Sequence, residues 1–249
     1  MSGHSHWSSI KHKKAAVDQK RGKIFAKLSR AIMVAARRGA DPDMNAALRQ
    51  AIDTARKYSM PRDNIDRAVK KGSGDLGGII FQELVYEGYG PGGVAMLVEA
   101  VTDKSTRTTP EIRKIFDTRG GNLSGTGSTA WMFKRKGLIG VPGEAADEDR
   151  LLEIVLDAGA DDVASSGRDW EIICPAESFE HVRRALDEAG VATTVAELTY
   201  IADSELDPDA ETQKKALSLM EALEDHDDVQ NVYAAFTPSD EVLSEIEKG

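Results

Sequence analysis

The first part of the chain repeats its apolar positions with helical spacing. Ile24, Leu28 and Ile32 recur every four residues, and Lys and Arg occupy most of the positions between them. This period predicts an amphipathic helix over 15–38. Gly39 follows directly and is typical of a helix C-terminus. The segment therefore begins as a helix with one apolar stripe and an unusually basic opposite face.

Two further helices are predicted before the period changes. Asp41 and Pro42 match an N-cap and first turn, so we expect a second helix to reach Tyr58. Pro61 starts a third helix, which Gly72 ends. The positions predicted to be buried are Leu48, Ile52, Ala55, Ile65 and either Ala68 or Val69. Three helices with short turns predict a small all-α domain over 1–78, whose last residues, 72–78, form a Gly-rich linker.

The apolar period then shortens from helical to strand spacing. Residues 81–89 and 94–102 alternate or run apolar around a Gly-Pro-Gly-Gly turn, which predicts a β-hairpin. A helix over 105–119, a glycine-rich loop and a strand over 130–133 follow. These elements begin a second domain.

The order of elements after residue 137 indicates a fold. The predicted strands and helices cover 138–141, 147–158, 162–164, 169–174, 178–189 and 193–201, in the order β-α-β-β-α-β. This is the order of a ferredoxin-like unit. A helix to Asp225 and a strand over 230–236 remain, and they cannot bury a core alone. We therefore predict an α+β protein of three domains: 1–78, a discontinuous α/β domain of 79–136 plus 204–249, and a ferredoxin-like insertion over 137–203.

Charge is sorted along the 249-residue chain. Residues 1–75 hold 17 Lys/Arg against 7 Asp/Glu, a net charge of +10, whereas residues 137–249 hold 7 against 29, a net charge of −22. A basic N-terminal part on an acidic body is typical of a protein that presents one end to a nucleic acid. The alternative is that these cations only solvate helix surfaces.

The candidate nucleic-acid-binding residues follow this basic region. Those on the N-terminal arm and the first predicted helix are Lys11, Lys13, Lys14, Lys20, Arg21, Lys23, Lys27, Arg30, Arg37 and Arg38; those on the third helix are Arg62, Asn64, Arg67, Lys70 and Lys71. A helix places such cations in a row that suits successive phosphates. Only Arg62, Asn64 and Arg67 have side chains of the types that read base edges well, so phosphate binding is better supported than base recognition. The short turn before Pro61 resembles a helix-turn-helix only loosely.

Other chemistry has weaker support. The single cysteine, Cys174, is expected to fill a core, and His4, His6 and His12 lie on the arm without carboxylates or thiolates nearby. The same arm carries Trp7, which suits either stacking on a base or packing on the first helix. Two Gly-x-Gly-x-x-Gly stretches lack the strand-to-helix context of a dinucleotide site. We therefore expect no cofactor, no metal, no membrane span and no enzymatic activity.

Several motifs together resemble one family. They are GHSHWSSIKHKKAAVDQKRGKIFAKLSRAI, MPRDNIDRAVKKG, YEGYGPGGVA, AWMFKRKG, LLEIVLDAGADDV and QNVYAAF, in this order over nearly the whole chain. In these motifs the chain is similar to the YebC/PmpR family. The resemblance implies an α-helical N-terminal domain followed by two α/β domains, the third inserted in the second.

The resemblance also implies a function. It implies a cytoplasmic, DNA-binding transcriptional regulator without a cofactor, and we expect a monomer. A mitochondrial relative is a translational activator, and bacterial members have been connected to ribosomes stalled on proline-rich sequences. The open alternative is therefore a translation factor that contacts ribosomal RNA, with the acidic domains available to the ribosome or another protein. The chain departs from the family at Lys104, Thr106 and Ala235, where asparagine is usual.

Overall fold

The structure, a computed structural model, describes residues 21–74, 81–166 and 169–248. The helices are α1 (Arg21–Ala36), α2 (Ala46–Lys57), α3 (Arg62–Gly72), α4 (Ser105–Thr118), α5 (Glu148–Val155), α6 (Phe179–Glu188), α7 (Ala210–Glu224) and α8 (Asp240–Lys248). The strands are β1 (Gln82–Tyr89), β2 (Ala95–Thr102), β3 (Asn122–Leu123), β4 (Phe133–Pro142), β5 (Asp162–Ser166), β6 (Asp169–Pro175), β7 (Val195–Ala202) and β8 (Val229–Ala234). The predicted arm and most of the predicted linker lie outside the described residues.

The described residues divide into two compact units. One contains residues 21–128 and 217–232, and the other contains residues 129–216 and 233–248. The first unit holds α1–α3 and a four-stranded sheet, and the second holds another four-stranded sheet. The mixed α+β class and the order of a helical region followed by two α/β parts confirm the predicted fold class. The three domain boundaries stay a prediction.

The apolar stripes of α1, α2 and α3 meet in one core. Ile32, Leu48 and Ala55 are fully buried there, and Ile65 joins them from α3. Ala68 is also buried, whereas Val69 is only partly buried beside this core. The helical spacing of apolar residues thus predicted the inward face of all three helices, except that Ile24 of the predicted stripe lies outside this core.

The start of α2 differs from the prediction. Asn45, and not Asp41 with Pro42, caps the helix: its Oδ1 accepts a hydrogen bond from the Leu48 N–H at 3.1 Å. Its Nδ2 also donates to the Ala35 carbonyl at 2.8 Å. Asn45 therefore serves both as a cap and as a tie to the end of α1, which favours it over the earlier Asp.

The sheet of the first unit has the strand order β3-β1-β2-β8. Strands β1 and β2 are antiparallel, from Gln82 opposite Thr102 to Tyr89 opposite Ala95, which confirms the hairpin. Helix α4 buries Ile112 and Phe116. Strand β8 lies beside β2, so the chain returns to this sheet near its C-terminus.

The sheet of the second unit has the strand order β5-β6-β4-β7, with every neighbouring pair antiparallel. With α5 and α6 between the strands in sequence, this is the ferredoxin-like arrangement that the element order predicted. The core contains Ile139 and Ile172 from the two central strands, Leu151 from α5 and Leu186 from α6. Cys174 belongs to this core, as expected of a core-filling thiol.

Three elements were predicted wrongly or missed. The strand expected over 130–133 is a 3-10 turn at Ala130–Met132, after which β4 extends without a break from Phe133 to Pro142. The short strand β3 lies in the segment expected to be a loop. Helix α8 was not predicted. The predicted domain boundary at residue 137 would divide β4.

Candidate nucleic-acid interface

The predicted cations fall into four groups in the structure, one of which is Arg37 and Arg38, directly after α1. Lys11, Lys13, Lys14 and Lys20 lie outside the described residues, and only the helical backbone of Arg21 is described. The cations on α1 contact another part of the first unit. The cations on α3 are exposed to solvent.

Three cations on one stripe of α1 donate to main-chain oxygens at the end of α7 and in the residues that follow it. Lys23 Nζ lies 3.3 Å from the Asp225 carbonyl oxygen, Lys27 Nζ donates to the Glu224 carbonyl, and an Arg30 guanidinium nitrogen donates to the Asp227 carbonyl. The last carbonyls of a helix lack partners within the helix and carry partial negative charge. Residues 224–228, which we call the acidic turn, therefore bind the same stripe of α1 that the sequence assigned to phosphates.

Asp228 anchors the acidic turn in the first unit. Its side chain is 6% exposed, and its Oδ2 accepts from Arg107 at 2.8 Å and from the Thr108 hydroxyl at 2.7 Å. Arg30 approaches the other carboxylate oxygen to 3.8 Å. The main-chain oxygen of Asp228 accepts from the Val101 N–H at 2.7 Å, which ties the turn to β2.

The electrostatics of Asp228 follow from these contacts. Burial alone would favour the protonated acid, but hydrogen bonds from Arg107, Thr108 and Thr102 stabilise the carboxylate and hold the pKa of Asp228 below its ordinary value. The same carboxylate raises the pKa of Arg107, with a smaller contribution from Asp103. The turn is therefore pinned by an ionised carboxylate with several donors.

His226 closes the turn from the other side. Its Nδ1 accepts from the Asp228 N–H at 3.1 Å, and its Nε2 lies 3.0 Å from Glu111 Oε2 on α4. Since Nδ1 is an acceptor here, the imidazole has its hydrogen on Nε2 and donates it to Glu111. This ring therefore links α4 to the acidic turn.

The residues that form this anchor were not found as a site from the sequence. Thr102, Arg107 and Thr108 lie more than a hundred residues before Asp228, and only the tertiary structure joins them. The available signal was the motif from Thr102 to Thr108, which was noted for its departures from the family. Those departures, Lys104 and Thr106, are exposed at the start of α4, and the retained residues make the contacts to Asp228.

The turn that follows α1 carries two more predicted cations. An Arg37 guanidinium nitrogen donates to the Phe81 carbonyl at 2.7 Å. Arg38 is exposed, and its side chain has no hydrogen bond or ion pair to any other residue that the structure describes. Arg38 is therefore available to a ligand in this structure, whereas Arg37 is held by the chain.

Helix α3 presents the exposed cations of the candidate interface. Arg67, Lys70 and Lys71 are exposed, and within the described part of the chain their side chains have no hydrogen-bond or ion-pair partner. Arg62 is 91% exposed, with its Nε 3.7 Å from Asp66 Oδ2. Such a distance in solvent contributes little. Asn64 is only half-buried in the first turn of α3.

Helix α3 can expose these cations because its apolar residues point the other way. Ile65 and Ala68 face the helical core, so positions 67, 70 and 71 lie on the solvent side. Lys70 and Lys71 stand in the last turn, where positive charge also complements the helix dipole. The fold thus holds a row of exposed cations on one helix, with no side-chain partner among the described residues.

The central strands of the second sheet carry two side chains that face away from the core of that unit. Leu138 and Glu171 alternate with core residues and therefore lie on the sheet face opposite α5 and α6, yet both are buried. An RNA-binding ferredoxin-like sheet would instead show exposed aromatic side chains on its central strands. Across the described ranges, no three or more His, Cys, Asp or Glu side chains come together to hold a metal ion. No helix within those ranges has the length and apolar character needed to span a membrane.

These features define a class: an α+β protein with a basic three-helix region ahead of two α/β parts. Comparison with known proteins agrees with it. Residues 5–75 match the family model described as the TACO1/YebC protein N-terminal domain, and residues 81–236 match the one described as the TACO1/YebC second and third domain. The chain belongs to the TACO1/YebC family, as its motifs indicated.

Relatives match along almost the full length. A protein of Acidobacterium capsulatum is 50% identical, over 95% of this chain and 96% of its own length. One from Methylacidiphilum infernorum is 46% identical, over 99% of this chain and 100% of its own. Both are named probable transcriptional regulatory protein. A crystal structure of a conserved hypothetical protein from Aquifex aeolicus is 45% identical with a TM-score of 0.82, covering 95% of this chain and 98% of that one.

Proposed function

We propose that this chain is a nucleic-acid-binding regulator of gene expression that contacts the phosphate backbone through its basic helical region. The observation that carries the proposal is the row of exposed cations on α3, Arg67, Lys70 and Lys71, whose side chains bind no other described residue. Each cation that neutralises a phosphate releases counterions, which favours binding at low salt. The predicted arm cations, Lys11, Lys13 and Lys14, lie outside the described residues and would add positive charge to the N-terminal region.

The charge distribution supports one orientation of binding. Residues 1–75 have a net charge of +10 and residues 137–249 a net charge of −22, from 17 Lys/Arg against 7 Asp/Glu and from 7 against 29. A polyanion attracts the first region and repels the second. The acidic region would then remain available to a protein partner.

DNA is the first candidate target. The relatives in the comparison are named as probable transcriptional regulatory proteins, which favours a role in transcription. Helices α2 and α3 are joined by the short segment 58–61, and α3 would stand where a recognition helix stands. This proposal includes a cytoplasmic, monomeric protein that acts by binding and not by catalysis.

A ribosome-associated translation factor is the second candidate. One observation favours it: α3 offers few groups for base recognition, since Asn64 is half-buried and only Arg62 and Arg67 of the candidate base readers remain exposed. Phosphate contacts position a protein on a nucleic acid but carry no sequence information. Little intrinsic base preference therefore suits recognition of RNA shape or of a ribosomal partner.

The phosphate-binding role is tested by removing charge from α3. Lys70→Gln with Lys71→Gln should weaken binding to a mixed-sequence DNA duplex and lower the slope of log affinity against log salt by about 1 to 2. The matched control is Arg113→Gln with Lys114→Gln, which removes two exposed cations from α4 that bind no other described side chain. Equal losses in both double variants would refute the assignment to α3.

The choice between DNA and RNA needs a specificity measurement. Competitive selection from a randomised DNA pool, with folded ribosomal RNA as competitor, should yield no strongly enriched duplex motif. A specific DNA regulator favours its site by about 10³-fold or more over random duplex. One enriched motif that is lost in an Arg62→Ala, Asn64→Ala, Arg67→Ala triple variant would establish the transcriptional role and overturn the low base preference.

A further inference from the structure

We propose that the acidic turn, residues 224–228, is an internal competitor for nucleic acid, which occupies the phosphate-binding stripe of α1 until a polyanion displaces it. The proposal rests on the proposed function, because it assumes that α1 also contacts phosphates. It assigns to the C-terminal end of α7 a regulatory role in which binding and opening of the acidic turn are linked.

The geometry of the contact supports competition. Lys23, Lys27 and Arg30 are spaced by four and three residues, so they share one stripe of α1. Each donates to a main-chain oxygen of the acidic turn. A phosphate row on that stripe would need the same donors. Because the negative charge of the acidic turn would repel phosphates at these three cations, we expect the turn and a polyanion to compete for the stripe.

The composition of the acidic turn also resembles a polyanion. It combines the negative end of α7 with the carboxyl groups of Glu224, Asp225, Asp227 and Asp228. One of these carboxylates lies opposite a cation of α1: Asp228 is 3.8 Å from Arg30. Chemically, the displacing ligand is a phosphodiester backbone, which offers more negative charge over a longer row.

Competition makes a quantitative statement about affinity. When only a fraction of molecules has the α1 stripe open, the apparent dissociation constant rises by the inverse of that fraction. Destabilising the acidic turn should therefore tighten nucleic-acid binding, which is the opposite of the effect expected from loss of an ordinary structural contact.

Hydrogen exchange on the unaltered full chain tests the proposal directly. Several amides of the turn have defined acceptors: Asp225 N–H bonds to the Glu221 carbonyl, His226 N–H to the Leu223 carbonyl and Asp228 N–H to His226 Nδ1. Adding a mixed-sequence DNA duplex or folded ribosomal RNA should speed exchange of these amides while it slows exchange in α3. Unchanged or slower exchange in the turn, at saturating duplex or RNA, would overturn the proposal.

A double-mutant cycle gives the second test. Asp228→Asn weakens the contacts that anchor the acidic turn. It should raise the affinity for nucleic acid about 3- to 10-fold, as expected if the wild-type stripe is open in about a tenth to a third of molecules. Lys27→Gln should cost little in the wild type, because Lys27 only exchanges one acceptor for another. It should cost several-fold more in the Asp228→Asn background. Equal costs in both backgrounds would exclude competition.

The control and the possible failures are separable. Asp117→Asn removes one exposed carboxylate from α4 that binds no other described side chain, and it should leave affinity nearly unchanged. If Asp228→Asn does not fold, the exchange measurement on the wild type still decides. Absence of any binding to duplex or RNA would refute the proposed function and this inference together. Binding that depends on Lys70 and Lys71 without exchange changes in the turn would refute this inference alone.

Discussion

Replacement of Gly72 by Ala is expected to destabilise the helical region, although alanine favours helices. Gly72 is the last residue of α3 and packs against α1. A Cβ at this position would lie 2.7 Å from Met33 Cα and 2.8 Å from Ala36 Cβ, and closer still to the Met33 carbonyl oxygen. Two of these three atoms are main chain and cannot rotate away, so α3 itself must shift.

The magnitude follows from two opposing effects. Alanine in place of glycine within a helix stabilises by about 1 kcal/mol at most. Overpacking a close contact typically costs about 1 to 3 kcal/mol, and the contact at Gly72 with the main chain of Met33 is of the more severe kind. We therefore expect Gly72→Ala to lower the free energy of unfolding of the helical region by about 1 to 2 kcal/mol.

Gly22 supplies the matched control. It lies in α1, and a Cβ added there would meet no atom within 4 Å among the described residues. Gly22→Ala should therefore stabilise the helix by up to about 1 kcal/mol. The same chemical change thus has opposite signs at two helical sites.

The assay must report on the helices alone, because the chain has two compact units and need not unfold in one step. Segment-resolved hydrogen exchange in α1 and α3 meets this need, with circular dichroism as a check on helix content. Faster exchange in Gly72→Ala and slower exchange in Gly22→Ala are expected. Stabilisation by both substitutions would refute the close contact between α1 and α3.

Four further predictions concern other parts of the chain. Burial, with a smaller contribution from the Asp161 carboxylate, raises the pKa of Cys174 to about 11, so native protein should resist alkylation near pH 8 until it unfolds. The folded state binds the Cys174 proton more tightly, so stability from this group is present below the ordinary thiol pKa and is lost as the pH rises towards 11, which alkaline denaturant titrations would detect. The lowered pKa of Asp228 gives the opposite sign: its contribution to stability is present above the ordinary carboxyl pKa and is lost as the pH falls through the folded value. Asp228→Asn should therefore make the stability of the first unit depend less on pH in the acid range, as acid denaturation curves would show. We also expect the ferredoxin-like part to fold alone; since β4 starts at Phe133, residues 133–203 should melt cooperatively as a fragment, and a fragment without a transition would contradict the predicted insertion.

Local patterns in the sequence predicted most of the fold. The four-residue repeat of Ile24, Leu28 and Ile32 predicted α1, and the element order after residue 137 predicted the ferredoxin-like sheet. Both succeed because burial of one face imposes a period on neighbouring residues. The cap of α2 was predicted wrongly because Asn45 also reaches α1, a contact that only the tertiary structure defines.

The candidate site was predictable in composition but not in arrangement. The charge count found the basic helices, and α3 indeed exposes Arg67, Lys70 and Lys71. Nothing local to α1 indicated that Lys27 contacts the end of α7, almost two hundred residues later. Contacts of that range depend on how the chain returns to its first sheet, and a single sequence does not encode them as a pattern.

The position of β8 beside β2 sets the order in which the chain can fold during its synthesis. The Val101 N–H can bond to the main-chain oxygen of Asp228 only after residue 228 has been synthesised. The first unit therefore stays incomplete until nearly the whole chain has been made. The strands of the second sheet, β4 to β7, are all available earlier. Because long-range pairing slows folding, the sheet of the first unit should form later than the sheet of the second. The basic helix α1 would leave the ribosome long before the acidic turn that covers it. During that interval the cations of α1 would be uncovered beside the ribosome, which is itself a polyanion.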